Sequence, residues 1–167
     1  MNDDGEQLAW RETYFILFSV DDRPTMSQVE SAIHDANKRL KVENLEANDD
    51  GLFTSGLVQA PEDNAAMEVS YESGEMVIEQ SAELAKQLQK QIDGDQLAQL
   101  VRADARLDIM HFERLPEGSD EFATEDDGDD ELLVEALDPA SLITVVEALA
   151  QLTGGIAIDP AAGDIMV

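Results

Sequence analysis

The sequence contains no cysteine, and basic and aromatic residues are scarce. Without cysteine, a disulfide scaffold, a thiolate metal site and a cysteine nucleophile are all excluded. Only 10 of the 167 residues are Lys or Arg, against 38 Asp or Glu, so the formal charge is −28. Because a surface this negative repels phosphate groups and anionic lipids, we expect neither nucleic acid nor a membrane as a partner.

Long apolar runs and targeting signals are missing as well. The first residues, MNDDGEQLAWRE, are acidic where a secretory signal would be basic. The apolar run Tyr14–Val20 is too short for the core of such a signal, and no segment approaches the roughly 20 apolar residues that cross a bilayer. The sequence therefore predicts a cytoplasmic protein.

What is present suits one folded domain, because 43% of the residues are hydrophobic, an ordinary share for a globular chain. Periodicity predicts four strands and two long helices, over 13–20, 26–40, 52–59, 66–72, 75–91 and 107–114. Their order, β-α-β-β-α-β, predicts an α+β fold with a ferredoxin-like core. Within this fold, Gly56 interrupts the second strand, and we expect a bulge there.

The C-terminal part predicts an added helix and β-hairpin. Asp138 followed by Pro139 is a helix start. Residues 139–167 carry only three charged side chains in 29 residues. We expect this segment to cover the sheet face that carries Phe15 and Leu17, and a homodimer interface formed by 139–167 is the alternative. The predicted organisation is a flexible N-terminal arm, residues 1–12, and a single α+β domain, residues 13–167.

Acidic residues are concentrated in the second half of the chain. Residues 115–167 have 14 acidic and no basic side chains, and nine of the acids lie in 117–131. Such a run repels itself and has little to bury, so we predict a mobile acidic surface loop. Adaptation to saline surroundings is one explanation for the acidity, and a surface that meets a basic partner is another.

Few residues are candidates for catalysis. Of the two histidines, His34 lies beside the apolar stripe of the first helix and His111 lies in the last core strand, where a core or edge role is the simpler interpretation. Their spacing fits no zinc motif, and no nucleophile elbow or glycine-rich phosphate loop is present. The sequence predicts no catalytic residue, no metal and no cofactor.

The favoured hypothesis is a non-catalytic interaction domain that recognises a basic protein. The candidate interaction residues are the acids of the predicted loop: Glu125, Asp126, Asp127, Asp129, Asp130 and Glu131. One alternative is an enzyme whose site combines scattered carboxylates with His111. The other is a weak divalent-cation binder, although neither Gly51 nor Gly128 has the ligand spacing of an EF-hand loop.

Overall fold

A computed structural model describes residues 7–61, 64–115, 140–160 and 164–165. They form a seven-stranded antiparallel sheet, six strands of four or more residues and one of two, with four α-helices packed on it. The strands are β1 (Gln7–Phe18), β2 (Lys41–Ala47), β3 (Phe53–Ala60), β4 (Ala65–Ser73), β5 (Ala105–Leu115), β6 (Ile156–Asp159) and β7 (Asp164–Ile165). The helices are α1 (Met26–Ala36), α2 (Glu75–Leu88), α3 (Gly94–Arg102) and α4 (Ala140–Thr153).

The α+β class is confirmed, but the ferredoxin-like topology is not. The strand order across the sheet is β2-β3-β4-β5-β1-β6-β7, and every neighbouring pair is antiparallel. The core contains one strand more than the predicted βαββαβ pattern, and β1 lies between β5 and β6. The sequence pattern missed β2 because KVENLEA alternates weakly and the strand lies at an exposed edge.

One local prediction needs correction, and another is refined. The first strand begins at Gln7, so residues 7–12 belong to β1 and not to an arm. Gly56 pairs with Val69 of β4 in a regular register. On its other side the register of β2 shifts between Glu43 and Glu46, directly opposite Gly56, so the predicted bulge lies on the neighbouring strand. A Cβ at Gly56 would lie 2.8 Å from Leu45 Cδ2, so glycine suits this close packing. A further bulge lies on β1, between Trp10 and Glu12.

The helices begin where side chains can cap them. Thr25 and Gln28 form a reciprocal capping box at the start of α1. Asp93 and Gln96 form the same arrangement at the start of α3. The first helix ends at Ala36 because the next residue, Asn37, is extended.

The helices cover the two faces of the sheet unequally. We call the face packed against α1 and α4 the inner face; its core includes Ile16, Phe18, Val69 and Ile109, each at most 2% exposed. Helices α2 and α3 pack on the opposite face, around Leu17 and its neighbours on β6.

The prediction that 139–167 covers Phe15 and Leu17 is therefore wrong for the helix, because α4 packs beside α1 on the inner face. Half of the residues of α4 are buried within the fold. This internal packing accounts for the low charge of the described part of 139–167. In the part of the chain that the structure describes, no helix is long and apolar enough to span a membrane.

Candidate functional site

The predicted interaction residues Glu125, Asp126, Asp127, Asp129, Asp130 and Glu131 lie outside the described residues, as does the whole predicted loop 117–131. The same holds for residues 1–6 of the predicted arm. The candidate sites among the described residues therefore lie on the sheet and on the helices packed against it. Two arrangements stand out: a histidine–carboxylate pair on the inner face, and an uncovered area on the opposite face.

The pair joins His111 of β5 to Glu12 of β1. His111 Nδ1 lies 2.6 Å from Glu12 Oε2, and the imidazole is 1% exposed. An ionised carboxylate only accepts hydrogen bonds, so Nδ1 carries the proton in this contact. Nε2 is buried and has no hydrogen-bond partner. His111 is thus a core histidine, as the sequence favours, but only one of its two nitrogens is satisfied.

Tyr14 lies two residues from Glu12 at the margin of the inner face. Burial, assisted by the negative charges of Glu12 and Asp159, raises the pKa of Tyr14 to about 12. The phenol therefore keeps its proton at neutral pH and does not act as a base there.

Two cavities of the described residues lie away from this pair. A groove of about 620 Å³ runs between α1 and α4 and is lined by residues such as Ala32, Asp35, Thr144 and Glu147. A smaller cavity of about 260 Å³ lies near Ser19 and Arg102 at the other end of the sheet. His111 lines neither of these two cavities, so neither supports the enzyme alternative.

Metal ligation finds no geometric support in the described ranges. Among them, no group of three or more His, Asp or Glu side chains is placed to hold a metal ion. The second histidine, His34, is exposed on α1, far along the chain and on a different element from His111.

The second arrangement lies on the sheet face opposite His111, beyond the reach of α2 and α3. Two rows of cross-strand partners define it, and we call it the open face. One row contains Glu43, Leu57, Glu68, Met110 and Thr13; the next contains Lys41, Gln59, Ala66, Phe112 and Trp10. Leu57, Met110 and Phe112 belong to neither of the two apolar clusters that the helices bury.

Trp10 is the most exposed large apolar side chain of the open face. It is 59% exposed, and its indole N–H donates to Thr13 Oγ1 at 2.9 Å. Its Cα partner across β1 and β5 is Phe112, which is half-buried, as is Met110 two residues away. An indole fixed by a hydrogen bond loses little further freedom when it is covered, which favours contact with a partner.

Two carboxylates lie on one side of these apolar side chains. Glu43 and Glu68 are exposed in the same row as Leu57 and Met110, and the only base in the two rows is Lys41 on the edge strand. The Gln59 amide lies 3.5 Å from one Glu43 oxygen and leaves its charge in place. The open face is thus both apolar and negative.

Arg106 does not neutralise the carboxylates of the open face, because its guanidinium is already paired with other side chains. This pairing lies where α2 and α3 begin to cover the sheet. Its guanidinium lies 4.6 Å from the Phe15 ring centroid and donates to both Asp108 oxygens and to Gln80. Burial raises the pKa of Asp108, Glu72 adds to this, and the attraction of Arg106 opposes both.

The sequence pattern does not reveal the open face, because its members come from separate segments. Trp10 lies in the segment predicted as an arm, and β2 has no clear strand pattern. One signal was available: Asp108, Met110 and Phe112 alternate with Leu107, Ile109 and His111, so β5 has apolar residues on both faces.

Comparison of the chain with protein-family models, with curated proteins and with solved structures finds no match.

Proposed function

We propose that this chain is a non-catalytic interaction domain that binds a basic protein through the open face. The observation that carries the proposal is Trp10, 59% exposed, in a patch with Met110 and Phe112 that the helices leave uncovered. Exposed aromatic side chains of this kind anchor protein interfaces.

The charge of the patch favours a basic partner. Glu43 and Glu68 flank the apolar side chains, and the whole chain carries −28. Opposite charges speed association and select partners, whereas a second copy of this chain would bring like charges together. The proposal therefore contains no homodimer; most of the large apolar residues of α4 that the 139–167 alternative relied on are buried within the fold, and Ile143 is the exposed exception.

Three expectations from the sequence stand beside this proposal as predictions. The acids Glu125, Asp126, Asp127, Asp129, Asp130 and Glu131 stay candidate interaction residues for the basic partner. A cytoplasmic location stays a prediction. The two alternative functions also stay predictions: an enzyme that combines scattered carboxylates with His111, and a weak divalent-cation binder.

Trp10 provides a direct test because it is the only tryptophan of the chain. We would titrate the protein with a tryptophan-free peptide of Lys and Leu, and with its counterpart that has Glu in place of Lys. The Lys peptide is expected to shift Trp10 emission to shorter wavelength, since the indole leaves water, and to bind more weakly as salt rises. Absence of a shift with the Lys peptide, or an equal shift with the Glu peptide, would overturn the proposal.

Matched charge variants locate the contact. Glu43→Gln with Glu68→Gln removes two charges from the open face, and Glu30→Gln with Glu147→Gln removes two exposed charges from α1 and α4. Two exposed ion pairs of about 0.5 kcal/mol each predict about fivefold weaker binding for the first double variant. An equal loss in the second would mean that total charge, and not the open face, attracts the peptide.

A further inference from the structure

The edges of the sheet are unsuited to adding a strand. At one edge, β2 has register shifts on both sides of Glu46, and Asn44 has a positive φ of 55°. Bulges and charged side chains of this kind obstruct edge pairing. At the other edge, β7 is only two residues long. A partner that paired its backbone with either edge would make few regular hydrogen bonds.

The open face, in contrast, has no helix packed over it among the residues that the structure describes. Helices α2 and α3 pack on β1, β4, β5 and β6 with the residues around Leu17 and Ile158. The same face continues without a described helix over Leu57, Met110 and Phe112. On the inner face, α1 and α4 bury the corresponding positions Val58 and Met67 to 1% or less.

From this contrast, and resting on the proposed function, we infer that the basic partner docks as an amphipathic helix on the open face. The helix joins the layer of α2 and α3 and adds no strand to the sheet. Its apolar stripe covers Met110, Phe112 and Trp10, and its Lys or Arg side chains meet Glu43 and Glu68. This is helix-in-groove recognition with a sheet as the floor.

The dimensions fit a short helix. Leu57 on β3 and Thr13 on β1 lie in the same row of cross-strand partners. Their strands are three inter-strand spacings apart, which is about 14 Å at roughly 4.8 Å per spacing. A helix of about 10 residues spans that distance at 1.5 Å per residue. Glu43 and Glu68 both lie on the β2 side of Met110, Phe112 and Trp10, so the bases are needed mainly on the part of the helix that extends towards β2.

The test compares two tryptophan-free peptides of about 14 residues with the same Lys and Leu composition. One places Leu at helical spacings of three and four, and the other alternates Leu with Lys as a strand would. Trp10 emission reports binding, and far-ultraviolet circular dichroism reports peptide helix. We expect the helical order to bind about tenfold more tightly and to gain helicity when bound.

Each outcome has a separate meaning. Equal or tighter binding of the alternating peptide, with a Trp10 shift, would overturn the helical mode and leave the proposed function standing. Failure of both peptides to shift Trp10 would overturn the proposed function itself. A helical peptide with one central Leu replaced by Pro is the matched control; if it binds as well as its parent, helix formation is not required and the inference is wrong.

Discussion

The two faces of the central sheet are built from alternate residues of the same strands, yet they differ in how far their apolar side chains are buried. On β5, Leu107 and Ile109 are fully buried beneath α1 and α4, whereas Met110 and Phe112 are only half-buried beside Glu68. The residue types differ little between these positions. What differs is whether a helix of the chain covers them, so apolar character alone does not identify the core of this protein.

A core face and a docking face require different things of their residues. The inner face excludes water and must be close-packed, which is why Gly56 is needed near Leu45. The open face, which we propose as a docking face, keeps exposed carboxylates beside its apolar side chains, and charged groups of this kind hold water. Substitutions at neighbouring positions should separate these two requirements.

The largest contrast is expected between neighbours on β5. Ile109→Ala empties a site that is 0% exposed, and we expect it to lower the free energy of unfolding by about 3 kcal/mol. Met110→Ala removes a side chain that water already reaches, so the loss should stay below about 1 kcal/mol. Chemical denaturation of both variants measures the difference, and equal losses would mean that the open face is part of the core.

A second contrast uses neighbours on β3. Gly56→Val places side-chain atoms against Leu45 and Phe53, so we expect a loss of about 2 kcal/mol. Ser55 pairs with Ser70 on the opposite side of the strand, where Ser55→Val should change stability by less than about 0.5 kcal/mol. Thermal unfolding of both variants checks this. A costly Ser55→Val would show that the outer side of β3 is packed as tightly as the inner side.

Part of this division was predictable from the sequence, because the two-residue period of a strand is local information. The outward positions Glu68, Ser70 and Glu72 of β4 follow from alternation, and the structure has them exposed or half-buried. The cap of α1 at Thr25 is equally local. In both cases the residues that decide the structure lie within a few positions of one another.

The rest depended on contacts between distant parts of the chain. Phe15 and Leu17 are as apolar as Ile16 and Phe18, so the strand alone could not show which face α4 would cover. The pairing of Glu12 with His111 spans 99 positions. Trp10 is part of the open face only because β1 extends back to Gln7 along β5, and the polar residues around it resemble a loop.

The smallest predicted effect concerns the wet margin of the inner face, where Tyr14 lies near Glu12 and Asp159. Because the pKa of Tyr14 is raised in the folded state to about 12, from about 10 when unfolded, the unfolded chain releases the phenolic proton first as pH rises. The contribution of Tyr14 to stability is therefore complete below pH 10 and is lost between about pH 10 and 12. After allowance for solvent screening of this half-buried side chain, we expect the loss to be about 1 kcal/mol.

Tyr14→Phe is the matched control, because it keeps the ring and removes the proton. Denaturation of both proteins across this pH range should give the wild type the steeper decline, since the lysines that also titrate there are common to both. Parallel declines would mean that the Tyr14 hydroxyl is as well hydrated in the fold as in the unfolded chain. The inner face would then exclude water only from Ile16 onwards, which is the next residue after Tyr14 on the same side of β1.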